Sequence, residues 1–404
     1  MSSTELGLTG RKVALASRIA IHNQVLFTLV IVGVLAVTLG GFISYAPNRL
    51  VSGTPIPLWA AATGIPIFGI AILGATLLAS CGIAPSRALH CVALVAAGLL
   101  LLLVLATGGQ AAAVLASTMK PASRISLDTA FWVLAACAML AVADALQRLS
   151  APIRTQLFAI LVIGCGTWVL AVNGTFDALS IAREYENRRQ LFAAALLQHL
   201  ILVGTSVGIA LGIGFPLGVM AARKPRSQTA LFALLNVLQT IPSIALFGLL
   251  IIPLSALAAA APWLASIGVA GIGTTPAIIA LVLYSLLPVV RNTSAGLNAV
   301  DGAALDAGRG MGLSGRQIFW QLELPLSLPI LFAGLRIVTV QAIGLAVVAA
   351  LIGAGGLGTF VFEGLGQYAV DLVLLGALPA IALALAADFL LQAVSASLRR
   401  RFAP

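Results

Sequence analysis

Apolar runs of bilayer-crossing length, about 20 residues each, recur along almost the whole chain and are separated by short polar breaks. A chain built this way must place those runs where water does not compete for their surface. Of its 404 residues 61% are hydrophobic and only 8% are charged, too few charges to solvate a soluble exterior. The reading is an all-α polytopic membrane protein. Its runs are helical because the short alternating pattern of an outer-membrane barrel is absent, and because each backbone group in hydrocarbon needs an internal partner.

About ten spans are expected, at 25–44, 58–79, 88–107, 129–147, 156–172, 197–221, 230–252, 274–291, 327–352 and 370–397. The formal net charge of +10 reads as positive-inside topology and not as a nucleic-acid surface, since Lys and Arg are dispersed between apolar runs. Arg49, Lys120, Arg124, Arg183, Arg188 and Arg189 fall on the outer side, and Arg336 falls inside a span. The other basic residues, from Arg11, Lys12 and Arg18 to Arg399, Arg400 and Arg401, fall on the inner side, which places both termini in the cytoplasm. Trp59, Trp132, Trp168 and Trp263 sit at outer helix ends, as an aromatic belt requires; Trp320 is the exception. The first apolar run lacks a small-residue cleavage site and is read as a retained span. Cys81, Cys91, Cys137 and Cys165 lack paired metal or redox spacing, and His22, His90 and His199 have no catalytic or metal-ligating companions. No catalytic residue and no metal ligand is expected.

The chain divides at AREYENRRQ, residues 182–190, the densest charge cluster outside the inner loops. The expected organisation is a five-helix membrane extension over 1–180, an extracytoplasmic linker over 181–196, and a core over 197–404. Pro216, Pro242, Pro253, Pro276, Pro288, Pro329 and Pro379 punctuate the second half. Broken backbone at membrane depth is tolerated where protein or a water-filled cavity satisfies it, so the second half is the expected pathway.

One polar island interrupts the apolar pattern near the C-terminus, DGAALDAGRGMGLSGRQIFWQLELPLSLP at 301–329. Apolar residues recur at helical spacing up to Gly310; Gly312, Ser314 and Gly315 supply a turn; a second short helix begins at Arg316 and is expected to stop at Pro325. A projecting helix-turn-helix with an apolar face must bury that face, which makes this a docking element for a soluble subunit. The spacing of its residues Asp306, Ala307 and Gly308, then Gly312, then Leu322, Leu324 and Pro325 matches at every step the coupling-loop pattern of one family. That pattern is Glu-Ala-Ala, three residues, Gly, nine residues, Ile-x-Leu-Pro. The chain therefore resembles the membrane subunits of binding-protein-dependent ABC importers, with Asp for Glu, Gly for the second Ala and Leu for Ile.

The resemblance runs over about 199–398, and the stretches 236–254, 283–297 and 351–365 look like the osmoprotectant branch, importers of glycine betaine, choline and related quaternary ammonium solutes. It implies a type I importer permease core formed by the C-terminal five spans, a coupling loop at 298–325, and residence in the bacterial inner membrane. It also implies a permease homodimer, two ATPase subunits docked on the loops, and a separate extracytoplasmic binding protein. ATP and Mg would be bound by the partner ATPase, because this chain has no phosphate loop around Lys12, Lys120 or Lys224. Pro404 follows soon after the last span, so no fused receptor is expected. Asp306 would pair with a basic residue of the ATPase or stay within its own loop.

Asn236, Gln239, Thr240, Ser243, Tyr284 and Gln341 are the candidate solute-pathway residues. A quaternary ammonium ion offers no N–H donor, so dipolar oxygens and aromatic faces suit it; each of these side chains also fits a helix–helix hydrogen bond. Gly353, Gly355, Gly356 and Gly358 follow the ninth span and either line an external gate or return the chain to the interface. Asp144 is expected to reach an interface, while Asp388 lies deeper, where a carboxylate can relay protons. An ion-coupled carrier is thus one rival reading, though it has no need of the loop pattern. An importer of another small solute, such as an amino acid, is the other.

Overall fold

The computed structural model describes residues 21–48, 51–118 and 123–402. Arg11, Lys12, Arg18, Arg49 and Lys120 of the topology argument lie outside them. The chain forms two compact units, Met1–Arg183 and Glu184–Pro404.

Among the described residues the first helix is α1 (Gln24–Leu39), whose N-cap Asn23 accepts a hydrogen bond from the Leu26 amide and whose run ends at Gly40. A small sheet follows that the span pattern did not predict. Strand β1 (Ile43–Ala46) pairs antiparallel with β2 (Thr54–Ile56) on one side and with β3 (Arg124–Leu127) on the other, Ile43 lying opposite both Ile56 and Leu127. Strands of three or four residues with Ser44, Thr54 and Ser126 among them fall below any window tuned to spans. The expected span at 58–79 is displaced accordingly. A one-turn α2 (Leu58–Ala61) gives way to Gly64 at φ 72°, and α3 runs Ile65–Gly82 with Pro at its first turn.

The long α4 (Arg87–Thr118) buries a stripe of small residues including Ala93, Ala97, Gly108 and Ala112. It packs on α5 (Thr129–Arg148), capped by Asp128 and burying Ala130, Ala138 and Ala141, while α6 (Ile153–Val172) buries no side chain. Small residues let membrane helices approach closely, where dispersion and not water exclusion holds them. Residues 181–196, expected as a linker, are almost wholly helical, in α7 (Ser180–Asn187) and the first turns of α8 (Arg189–Arg223).

The second unit is organised around α12 (Thr274–Asn298), the most buried of its spans. Helices α8 and α15 (Leu324–Val348) pack on it, and α17 (Val370–Phe402) packs on α15. The contacts are close. A Cβ on Gly218 of α8 would lie 2.5 Å from the Thr293 Cβ, and one on Gly334 of α15 would lie 2.4 Å from the Asn292 Cβ.

The expected single span at 230–252 is two helices, α9 (Pro225–Thr240) and α10 (Ser243–Ala260), because Pro242 cannot donate to the ladder and pushes Ile241 out of helical geometry. A short α11 (Pro262–Ser266) precedes α12. Among the described residues nine helices are long and apolar enough to cross a membrane, α1 being a shorter tenth apolar helix of 16 residues. Mean hydropathy and length put α10, but not α9, among them.

Candidate functional site

The polar island folds as a helical hairpin. Its first arm, α13 (Gly302–Gly310), is capped by Asp301, whose carboxylate accepts from the Ala303 amide at 3.0 Å. The arm ends in a Schellman turn: the Leu313 amide donates to the Gly308 carbonyl at 3.1 Å and the Gly312 amide to the Arg309 carbonyl at 2.9 Å. Gly312 sits at φ 80°, in the left-handed region where a Cβ is costly. Ser314 then opens α14 (Gly315–Ile318) with a capping box, its amide donating to Gln317 Oε1 at 2.8 Å.

Where Pro325 was expected to stop the second arm, the helix instead continues. Residues Phe319–Glu323 form a π-turn in which the Leu324 amide reaches back to the Phe319 carbonyl, and α15 follows without a break. Proline lacks an N–H and its ring crowds the carbonyl four residues back; the wider π-turn makes room for it. From Gly315 to Ile352 the backbone is thus one helical rod.

The family-pattern residues divide between the hairpin's core and its exposed surface. Gly308 is buried, and a Cβ there would stand 2.6 Å from Leu322 Cδ1, so this glycine sets how closely the two arms cross. Ile318 is buried in the same seam, and Leu324 and Pro325 begin α15. Asp306, Ala307 and Gly312 are exposed; Asp306 accepts a hydrogen bond from Arg309 Nη1 at 2.6 Å within its own helix. Met311 and Trp320 stand 72% and 56% exposed on this polar element, an apolar surface turned outward.

Glu323, a position passed over in the pattern, is buried and ion-paired with Arg223 at the end of α8. Sequence reasoning counted Arg223 only as a topology charge. The signal that could have found the pair is a lone carboxylate at the threshold of an apolar span, which must find a cation.

Of the candidate pathway residues, two meet at the break between α9 and α10. Tyr284 Oη of α12 donates to the Ile241 carbonyl freed by the break, and Gln239 Nε2 donates to the Tyr284 carbonyl at 2.9 Å. Thr240 bonds back to Val237 of its own helix at 2.7 Å, Asn236 is exposed, and Ser243 and Gln341 are half-buried on α10 and α15. The six therefore do not converge on one point.

Gly353, Gly355 and Gly356 each adopt positive φ after a 3₁₀ turn at Ala349–Ile352 and lead into α16 (Gly358–Gly366). They lie against α8, where Gln198 Nε2 donates to the Ala354 carbonyl at 3.3 Å and a Cβ on Gly356 would meet His199 Nδ1 at 3.2 Å. Asp388, the carboxylate weighed for proton relay, is held by Arg336 across α15 and α17, with Nη2 to Oδ2 at 2.9 Å. Asp144 is held by Arg148 and Asn23.

A many-span helical core with a polar helical hairpin continuous with one of its spans is the architecture of a polytopic membrane protein. Family models place it more narrowly: residues 214–400 match the binding-protein-dependent transport system inner membrane component, and residues 22–182 match the N-terminal domain of the ABC transporter permease YehY. The chain is 42% identical over 204 residues to the osmoprotectant import permease protein OsmW of Salmonella typhimurium, covering 50% of this chain and 88% of that protein. It is 39% identical over 194 residues to the carnitine transport permease protein OpuCB of Listeria monocytogenes, covering 48% of this chain and 82% of that one. Among solved structures, an inward-facing MetNI methionine ABC transporter is 21% identical, with a TM-score of 0.46, over 53% of this chain and 98% of its own. The chain belongs to the inner-membrane permease family of binding-protein-dependent ABC importers.

Proposed function

We propose that this chain carries quaternary ammonium osmoprotectants, of the glycine betaine, choline and carnitine kind, inward across the bacterial cytoplasmic membrane. Two copies would form the pathway, a separate extracytoplasmic binding protein would deliver the solute, and two ATPase subunits holding ATP and Mg would dock on the 298–325 loops. Both termini would then be cytoplasmic. The chain itself would catalyse no reaction.

The observation that carries this reading is the unbroken run from the docking hairpin into α15. Closing of the ATPase dimer displaces a hairpin whose second arm is continuous with α15, so the displacement turns a span. Glu323 and Arg223 take the same motion to α8. A partner drives such a transition only through differential contacts in its two states, and exposed Met311 and Trp320 supply apolar area for them. The named relatives, importers of osmoprotectant, carnitine and choline, support the solute class. Asp388, the carboxylate that suggested an ion-coupled rival, is paired with Arg336.

The test is uptake of radiolabelled glycine betaine, choline and carnitine into proteoliposomes holding this chain, its ATPase and its binding protein. ATP-dependent accumulation that fails without the binding protein is expected. Binding-protein-stimulated ATP hydrolysis with an amino acid, and no uptake of the three ammonium solutes, would keep the importer and discard the solute.

A further inference from the structure

The first unit holds a cavity of about 420 Å³ among α1, α3 and α5, with Leu100 of α4 at its back. Its lining is apolar, and small residues open it: Gly33, Ala71, Gly74 and Ala138 all face it. On α1 the lining runs from Leu26 to Thr38, roughly 18 Å of helix, so the void is elongated along the spans. An empty space of this kind costs its lining their dispersion contacts, and water finds no partners there. The rim is exposed between α1 and α3, at Val34 and Leu78.

At one end, sharing Leu26 with the cavity, lies a polar recess formed by Asn23, Ser80, His90, Asp144 and Arg148. Asp144 accepts from Arg148 Nε at 2.9 Å and from Asn23 Nδ2 at 2.7 Å, and Arg148 Nη2 donates to Asn23 Oδ1 at 2.9 Å. The Arg148 side chain remains one-third exposed. A guanidinium and a carboxylate at a narrow polar recess, at the end of a long apolar slot, complement a zwitterionic head group followed by a hydrocarbon chain.

We propose that the first unit binds a membrane phospholipid with an amine-bearing zwitterionic head group, one acyl chain lying in the α1–α3–α5 cavity and the phosphate facing Arg148. The ammonium of the head group faces Asp144. The bilayer itself is the source, through the rim between α1 and α3.

The experiment uses the full chain in vesicles of phosphatidylethanolamine and phosphatidylglycerol, doped with a phosphatidylethanolamine that carries a diazirine on its acyl chain. After photolysis, cross-links map by peptide sequencing. Labelling at the back wall, Leu100 and Ala138, is expected in addition to labelling at bilayer-exposed Ile72. Gly74 lines the cavity and a Cβ there meets nothing within 4 Å, so Gly74→Leu puts a side chain into the space. It should lower back-wall labelling about tenfold, equivalent to ~1.4 kcal/mol of binding, with Ile72 labelling unchanged as the measure of insertion. Gly74→Ala should fall between, so the outcome does not hang on one variant folding. Labelling confined to the rim, or back-wall labelling that Gly74→Leu leaves intact, overturns the site. Equal back-wall labelling by phosphatidylglycerol or diacylglycerol bearing the same diazirine chain overturns the head-group assignment.

Discussion

At the scale of single residues, the docking hairpin depends on two glycines for different reasons. Gly312 is required by its backbone, at φ 80°, and by the amide it donates to Arg309. Proline can supply neither, so Gly312→Pro should abolish solute-stimulated ATP hydrolysis while the spans still insert, whereas Gly312→Ala should weaken the turn by about 1 kcal/mol; retained stimulation in the proline variant would refute the hairpin's role. Gly308 matters through space. Gly308→Ala restores the family's usual residue, and its Cβ would press on the flexible end of Leu322. Leu322 must turn aside while the helix gains about 1 kcal/mol from losing a glycine, so the two positions should be coupled; a double-mutant cycle with Leu322→Ala measures that directly, and additive effects would refute it. The Arg223–Glu323 pair is asymmetric, since the carboxylate is buried and the guanidinium half-exposed. Arg223→Ala strands a buried charge, a loss on the order of 3 kcal/mol, whereas Glu323→Gln frees a cation that reaches water. Melting temperatures should therefore fall further for Arg223→Ala, and the reverse order would show that the burial of Glu323 does not decide the energetics.

At the scale of elements, two prolines act in opposite ways, and neither outcome was legible in advance. Pro242 breaks its helix because no longer turn absorbs it, and the freed Ile241 carbonyl must be satisfied from α12 by Tyr284. Pro325 leaves its helix continuous because the π-turn before it supplies the room. The missing N–H is visible in sequence; the compensation is a property of the neighbouring backbone and is not. Periodicity and run length likewise marked out most of the spans, but three-residue strands and a single Gly64 turn are too short to register, which displaced the start of α3. The hairpin's spacing was readable to the residue, while the Glu323 anchor was not, since its partner lies 100 residues away in sequence. Tyr284→Phe tests the α9–α10 break. It removes the donor and leaves a part-buried carbonyl unpaired, a cost of about 1–3 kcal/mol, so transport and thermal stability should both drop. A variant indistinguishable from the parent in both would mean that water satisfies Ile241 and the tyrosine does not hold the break.

At the scale of the whole molecule, the importer machinery and the first unit separate along the chain. The coupling hairpin, the broken α9–α10 pair and the central α12 all lie beyond Glu184. The osmoprotectant and carnitine permeases matched at 42% and 39% identity align over about half of this chain while covering 88% and 82% of themselves. Those permeases are little longer than this second unit. In that unit α8, α12, α15 and α17 form a continuous packed series. A chain beginning at Glu184 should accordingly insert, bind the ATPase and retain solute-stimulated ATP hydrolysis in proteoliposomes. What it should lose is whatever the first unit adds, and the lipid slot makes that a dependence on bilayer composition. Uptake by the full chain should change as phosphatidylethanolamine is replaced by phosphatidylglycerol in the vesicle, and uptake by the shortened chain should change less. If the shortened chain inserts but hydrolyses ATP without regard to solute, the first unit belongs to the coupling path itself, and the division of labour drawn from the relatives fails for this protein.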